Sequence, residues 1–224
     1  MTDPAFVLNP IEVRVLGSLV EKELTTPDYY PLTLNALTNA CNQSSNRDPV
    51  LELDERTVVR ALDGLRDRLL AYLFDGAQSR VPKYGHKIGE VFELTGPEIA
   101  MLCVLMLRGP QTVGEIRGRT GRMHEFATLP EAEAVLEALG ARSPRPLVTK
   151  LPRQPGFKEQ RYAHLLGGEP VVNASAAVPP PEAATLAVRA ENERLTRLEE
   201  ETASLRREIE GLKAEFAQFR KQFD

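Results

Sequence analysis

The chain has 224 residues, 42% of them hydrophobic, and a formal net charge of −4, enough to bury one or two small cores. That negative balance is the opposite of what a domain living on phosphate backbones carries, so any nucleic-acid surface must be local. Cys41 and Cys103 are the two cysteines, far apart and without metal-type spacing, which points to a reducing compartment. Met1–Pro10 lacks a basic stretch followed by an apolar one, and Ile99–Leu107 is too short to span a bilayer; the expected location is cytoplasmic, with no membrane partner.

Two segments, roughly Asn9–Lys87 and Leu94–Leu166, share one layout. Each opens with an amphipathic helix, Val13, Leu16, Leu19 and Val20 facing inward in the first and Ile99, Leu102, Leu105 and Met106 in the second. A short second helix follows, with Thr33 and Thr112 placed as caps. Third helices start at Asp54, with Val58, Ala61, Leu62 and Leu65 inward, and at Thr128, with Ala132, Val135, Leu136 and Leu139 inward; Thr128 and Glu131 have capping-box spacing. Strands are predicted over Leu69–Phe74 and Leu147–Leu151, each followed by a Gly-containing loop and a second strand. The second strands end alike, as Lys83-Tyr84-Gly85-His86 and Arg161-Tyr162-Ala163-His164. Three helices and a β-hairpin make a winged-helix plan, so the expected fold class is α+β, mainly α, with two tandem winged-helix domains over 1–92 and 93–168.

Residues 169–185 are rich in Pro and Ala, including Pro179-Pro180-Pro181, and read as an extended linker. Residues 186–224 carry an unbroken heptad seam. Its a positions are Leu195, Thr202, Ile209, Phe216 and Phe223, and its d positions are Leu198, Leu205, Leu212 and Phe219. Glu201, Glu208 and Glu215 at g would face Arg206, Lys213 and Arg220 at e of a parallel partner, which predicts a homodimer held by Leu195, Leu198, Leu205, Ile209, Leu212, Phe216 and Phe219. The bulky closing phenylalanines leave a trimer open, and the bland alternative is a lone helix packed on its own domain.

Catalysis finds no footing: there is no glycine-rich phosphate loop, metal-ligand motif or serine elbow, and no cofactor is expected. His86 and His164 occupy the same repeat position, which argues for a structural role. Residues 96–168 hold ten Lys and Arg against seven Asp and Glu, whereas residues 1–95 hold ten against fourteen. The cations a DNA backbone would need are Arg56, Arg60, Arg80 and Lys83 in the first repeat and Arg117, Arg119, Arg122, Arg153, Lys158 and Arg161 in the second. The stretch Thr25–Val50 is rich in amides and hydroxyls; Asn35, Asn39, Asn42, Gln43, Asn46 and Arg47 form either a recognition surface for a protein partner or the caps and turns of a long loop.

Thr25–Val50 (TTPDYYPLTLNALTNACNQSSNRDPV), Leu107–Phe126 (LRGPQTVGEIRGRTGRMHEF) and Leu151–Gly168 (LPRQPGFKEQRYAHLLGG) closely resemble the bacterial YceH-like family over roughly Leu8–Gly168. The resemblance implies a tandem winged-helix fold in a cytoplasmic bacterial protein and supplies no activity, substrate or catalytic residue. Two functions stand side by side. One is a non-enzymatic dimeric assembly module that binds protein partners, favoured by the low pI, the acidic third helix of the second repeat and the amide-rich turn. The other is a DNA-binding regulator, to which a parallel dimer suits two half-sites.

Overall fold

The computed structural model describes residues 7–74, 81–153 and 159–170. About half of these residues are helical and the rest carry two small antiparallel sheets, an α+β arrangement dominated by helices. Helix α1 (Pro10–Thr25) starts at a capping box: the Asn9 side chain accepts from the Ile11 and Glu12 N–H groups at 2.9 Å, and Glu12 Oε2 takes the Asn9 N–H at 2.8 Å. After a single 3-10 turn and the short strand β1 (Leu32–Thr33), Thr33 caps α2 (Leu34–Cys41). Asp54 caps α3 (Glu55–Asp67), whose Val58, Ala61, Leu62 and Leu65 are all buried as their spacing requires.

The predicted strand from Leu69 begins two residues later, as β2 (Ala71–Phe74). Leu69 has φ 60° and is 71% exposed, while the Leu70 N–H returns to the Leu65 carbonyl at 2.8 Å. This is a helix-terminating turn in which a leucine stands where glycine is usual, and Leu65 and Leu70 supply the apolar contact beneath it. β3 (Lys83–His86) lies between β1 and β2.

After α4 (Ile88–Val91) the order recurs as α5 (Gly96–Arg108), α6 (Val113–Thr120), α7 (Leu129–Ala141), β4 (Val148–Lys150) and β5 (Tyr162–His164). Thr112 and Glu115 form a reciprocal capping box on α6. At α7 the expected box is only half made: Thr128 accepts from the Glu131 N–H, but the Glu131 carboxylate takes the N–H of Ala127 instead of that of Thr128. The likeness of the two repeats extends to register. His86 pairs with the first residue of β2 and His164 with the first of β4; Leu32 pairs with Tyr84, and Gln111 bridges to Tyr162.

The described residues fall in one compact unit. Its two repeats share a continuous core and meet through their first helices. Gly17 of α1 sits so close to α5 that a Cβ there would lie 2.9 Å from Leu107 Cδ2 and 3.1 Å from Met106 Cβ, and Cys103 Sγ is 3.5 Å from the Gly17 carbonyl. The Leu8 N–H also donates to the Leu166 carbonyl at 2.8 Å, tying the start of the first repeat to the end of the second.

Candidate functional site

The amide-rich loop is organised from inside. Arg47 is 1% exposed. Its guanidinium donates to both Glu21 carboxylate oxygens at 3.1 and 2.7 Å, twice to the Ala40 carbonyl, and also to the Asn46 carbonyl and Gln43 Oε1. Burial alone would raise the Glu21 carboxyl, yet the Arg47 hydrogen bonds and charge hold it below its ordinary range. Arg14, equally buried, donates to the Cys41 and Pro49 carbonyls. Asn42 brackets the far end of the loop, donating to the Leu53 carbonyl and accepting the Leu53 N–H, both at 2.8 Å. Arg47 and Asn42 are thus taken up by the fold, whereas Asn35 and Asn39 remain exposed on α2 and hydrogen-bond one another.

The cations divide similarly. Arg117 donates to the Phe126 and Ala127 carbonyls, Arg119 to Gln111 Oε1 and Arg161 to the Pro110 carbonyl, so these three help close the second repeat. Arg153 is exposed and Lys83 half-buried. Arg56 and Arg60 are exposed on the outer face of α3, one turn apart, with the Asp54 carboxylate nearby. On α7 the corresponding face holds Glu133, bound by Lys150 at 3.2 Å and by the Tyr162 hydroxyl at 3.3 Å. Arg80, Lys158 and the heptad residues Leu195, Leu198, Leu205, Ile209, Leu212, Phe216 and Phe219 lie outside the described residues. The two candidate sets meet in one place: Gln43 and Asn46 share a cleft with Arg119 and Arg122.

The residues that sequence reasoning passed over lie on the first hairpin. Leu73 is 39% exposed and Phe74 45% exposed, at the end of β2, and Val81 across the loop is exposed as well. Alternation should leave one face of such a strand polar; two successive large apolar residues before a Gly-containing loop were the available signal.

Among the described residues no three His, Cys, Asp or Glu side chains are grouped so as to hold a metal, and no helix is long and apolar enough to cross a membrane. Cys41 and Cys103 are buried, and burial raises both thiols. His86 Nε2 lies 2.8 Å from Glu23 Oε2, and its backbone N–H donates to the Tyr30 hydroxyl at 2.6 Å. Among the described residues the buried Nδ1 of His164 has no hydrogen-bond partner, and burial lowers its pKa to about 4. The unfolded chain therefore takes up a proton near pH 6.5 that the folded chain refuses until about 4, so stability is complete above 6.5 and falls between the two. The loss is expected to reach roughly 3 kcal/mol; urea titrations of wild type and His164→Gln across that window should show the variant with the shallower decline.

The family described as "Protein of unknown function, DUF480" matches residues 8–157. The chain belongs to that family. Its bacterial relatives include the UPF0502 proteins of Geotalea daltonii, 64% identical over 87% of this chain and 88% of that one, and of Opitutus terrae, 59% identical over 91% and 85%. The UPF0502 protein of Geobacter sulfurreducens is 56% identical over 97% of this chain and 99% of its own length.

Proposed function

We propose that this chain is a non-enzymatic, dimeric interaction module built from two winged helices, and that it docks a protein partner through the wing of its first repeat. The observation that carries the reading is the pair Leu73 and Phe74, exposed at the base of the wing where a DNA-reading wing would present cations. β2 is also an edge strand of its sheet, paired among the described residues with β3 alone, so an added strand from a partner could extend the sheet there. Three helices followed by a hairpin in both repeats, with matching register, support the winged-helix assignment. The heptad seam supports a parallel dimer that presents two such wings, with the residue 169–185 linker as spacer.

A second reading keeps one specific observation in its favour. Arg56 and Arg60 share the exposed face of α3, the element that enters the major groove in DNA-binding winged helices. The two readings part in one experiment on the full-length protein. A Leu73→Ser/Phe74→Ser variant should abolish partner capture while leaving the melting temperature within about a degree, since both side chains are already half in water. Arg56→Ala/Arg60→Ala should leave capture intact. Micromolar binding to a random duplex that weakens steeply with salt and is lost in the arginine variant would instead establish the regulator.

A further inference from the structure

A cleft of about 170 Å³ lies where the two repeats meet. Four cations line it and arrive from separate places: Lys22 on α1, Arg108 at the end of α5, Arg119 on α6 and Arg122 in the turn after it. Glu21 is the one carboxylate in the lining, and it is already held by two hydrogen bonds from Arg47, with Lys22 Nζ a further 3.4 Å from Oε2. Arg119 donates to Gln111 Oε1 and pairs with Glu115 at 3.9 Å, and Arg108 donates to the side-chain amide oxygen of Asn46. Arg122 is exposed and makes no hydrogen bond or ion pair among the described residues.

A protein of net charge −4 has thus gathered four positive side chains around one concavity with a single, committed carboxylate among them. Assembling like charges is unfavourable unless something negative enters. Because neither repeat alone holds all four, the site is complete only when the repeats are packed together.

We propose that this inter-repeat cleft binds a small phosphorylated ligand carrying one or two phosphate groups. Guanidinium forks match phosphate oxygens in pairs, and Lys22 adds a compact point charge. Ser45, in the same lining, supplies a hydroxyl donor. A volume of about 170 Å³ accommodates a phosphate or diphosphate group. This inference does not rest on the wing reading, which concerns another face of the first repeat.

The test is calorimetric titration of full-length protein with inorganic pyrophosphate at low salt, using wild type, Arg122→Glu and Lys22→Gln. Wild type should bind in about the micromolar range and melt several degrees higher with the ligand. Each variant should bind at least about tenfold more weakly, and the unliganded Arg122→Glu protein should melt no lower than wild type because Arg122 makes no hydrogen bond or ion pair among the described residues. No binding by wild type at millimolar pyrophosphate, or wild-type affinity in both variants, would overturn the proposal. So would citrate binding as tightly as pyrophosphate, or displacement of pyrophosphate by random duplex DNA, which would make the cleft a general anion site or a nucleic-acid surface.

Discussion

Replacing Arg47 by Met should lower stability by about 3–5 kcal/mol, because a buried ion pair that loses one partner leaves the other charge unpaired. Methionine fills much of the same volume but donates nothing. Glu21, whose side chain is 12% exposed, loses both guanidinium contacts, and the Ala40 carbonyl loses two donors. Arg47→Lys should recover only part of the loss, since one ammonium cannot span Glu21 and Ala40 together. Adding Glu21→Leu to Arg47→Met should restore a large share, because removing both charges ends the unpaired burial. Urea unfolding of the four proteins checks this order of stabilities. A single Arg47→Met change costing less than about 1 kcal/mol would mean that the loop does not depend on the pair. The pH response follows the same logic: Glu21 titrates below its ordinary range in the fold, so its contribution is present above the ordinary carboxylate pKa and disappears as pH falls through the lowered one.

Gly17→Val is expected to cost about 3 kcal/mol, at the upper end of what overpacking usually costs. A Cβ at this position already meets Leu107 and the Cβ of Met106 at or inside the closest approach seen for real side chains, and Met106 Cβ cannot rotate away. Valine adds two further carbons in the same gap between α1 and α5. Gly17→Ala sets a helix-propensity gain of about 1 kcal/mol against the smaller overlap and should come out near neutral. The midpoint of urea unfolding measures both. An unchanged midpoint for valine would show that the repeats do not rely on this helix contact.

Much of the local structure was legible. Thr33, Asp54, Thr112 and Thr128 cap the helices they were assigned to, because a cap is decided by residues three or four apart. The inward faces of α1 and α3 follow from helical spacing, and the shared Tyr and His of the second strands mark the same register in both sheets. What was not legible depends on contacts distant in sequence. Arg47 sits in a polar loop and looked like a surface residue; its burial is set by Glu21, twenty-six positions away. Gly17 gains meaning only opposite Leu107. The cleft cations Lys22 and Arg108 were not singled out, since nothing local relates them to Arg119 and Arg122. Leu69 was placed in a strand because its side chain is apolar, although the chain there is closing α3 with a positive φ. Leu73 and Phe74 end the predicted strand, and the short sheet leaves them half in water.

The central claim, a protein partner at the first wing, is tested most directly by placing a photo-crosslinking amino acid at position 74 of the full-length protein in the living bacterium, with position 56 as the comparison. A discrete protein adduct from position 74, absent from position 56, is the expected result. Crosslinking to DNA from position 56, with no protein adduct from position 74, would contradict the account and establish the outer face of α3 as the working surface.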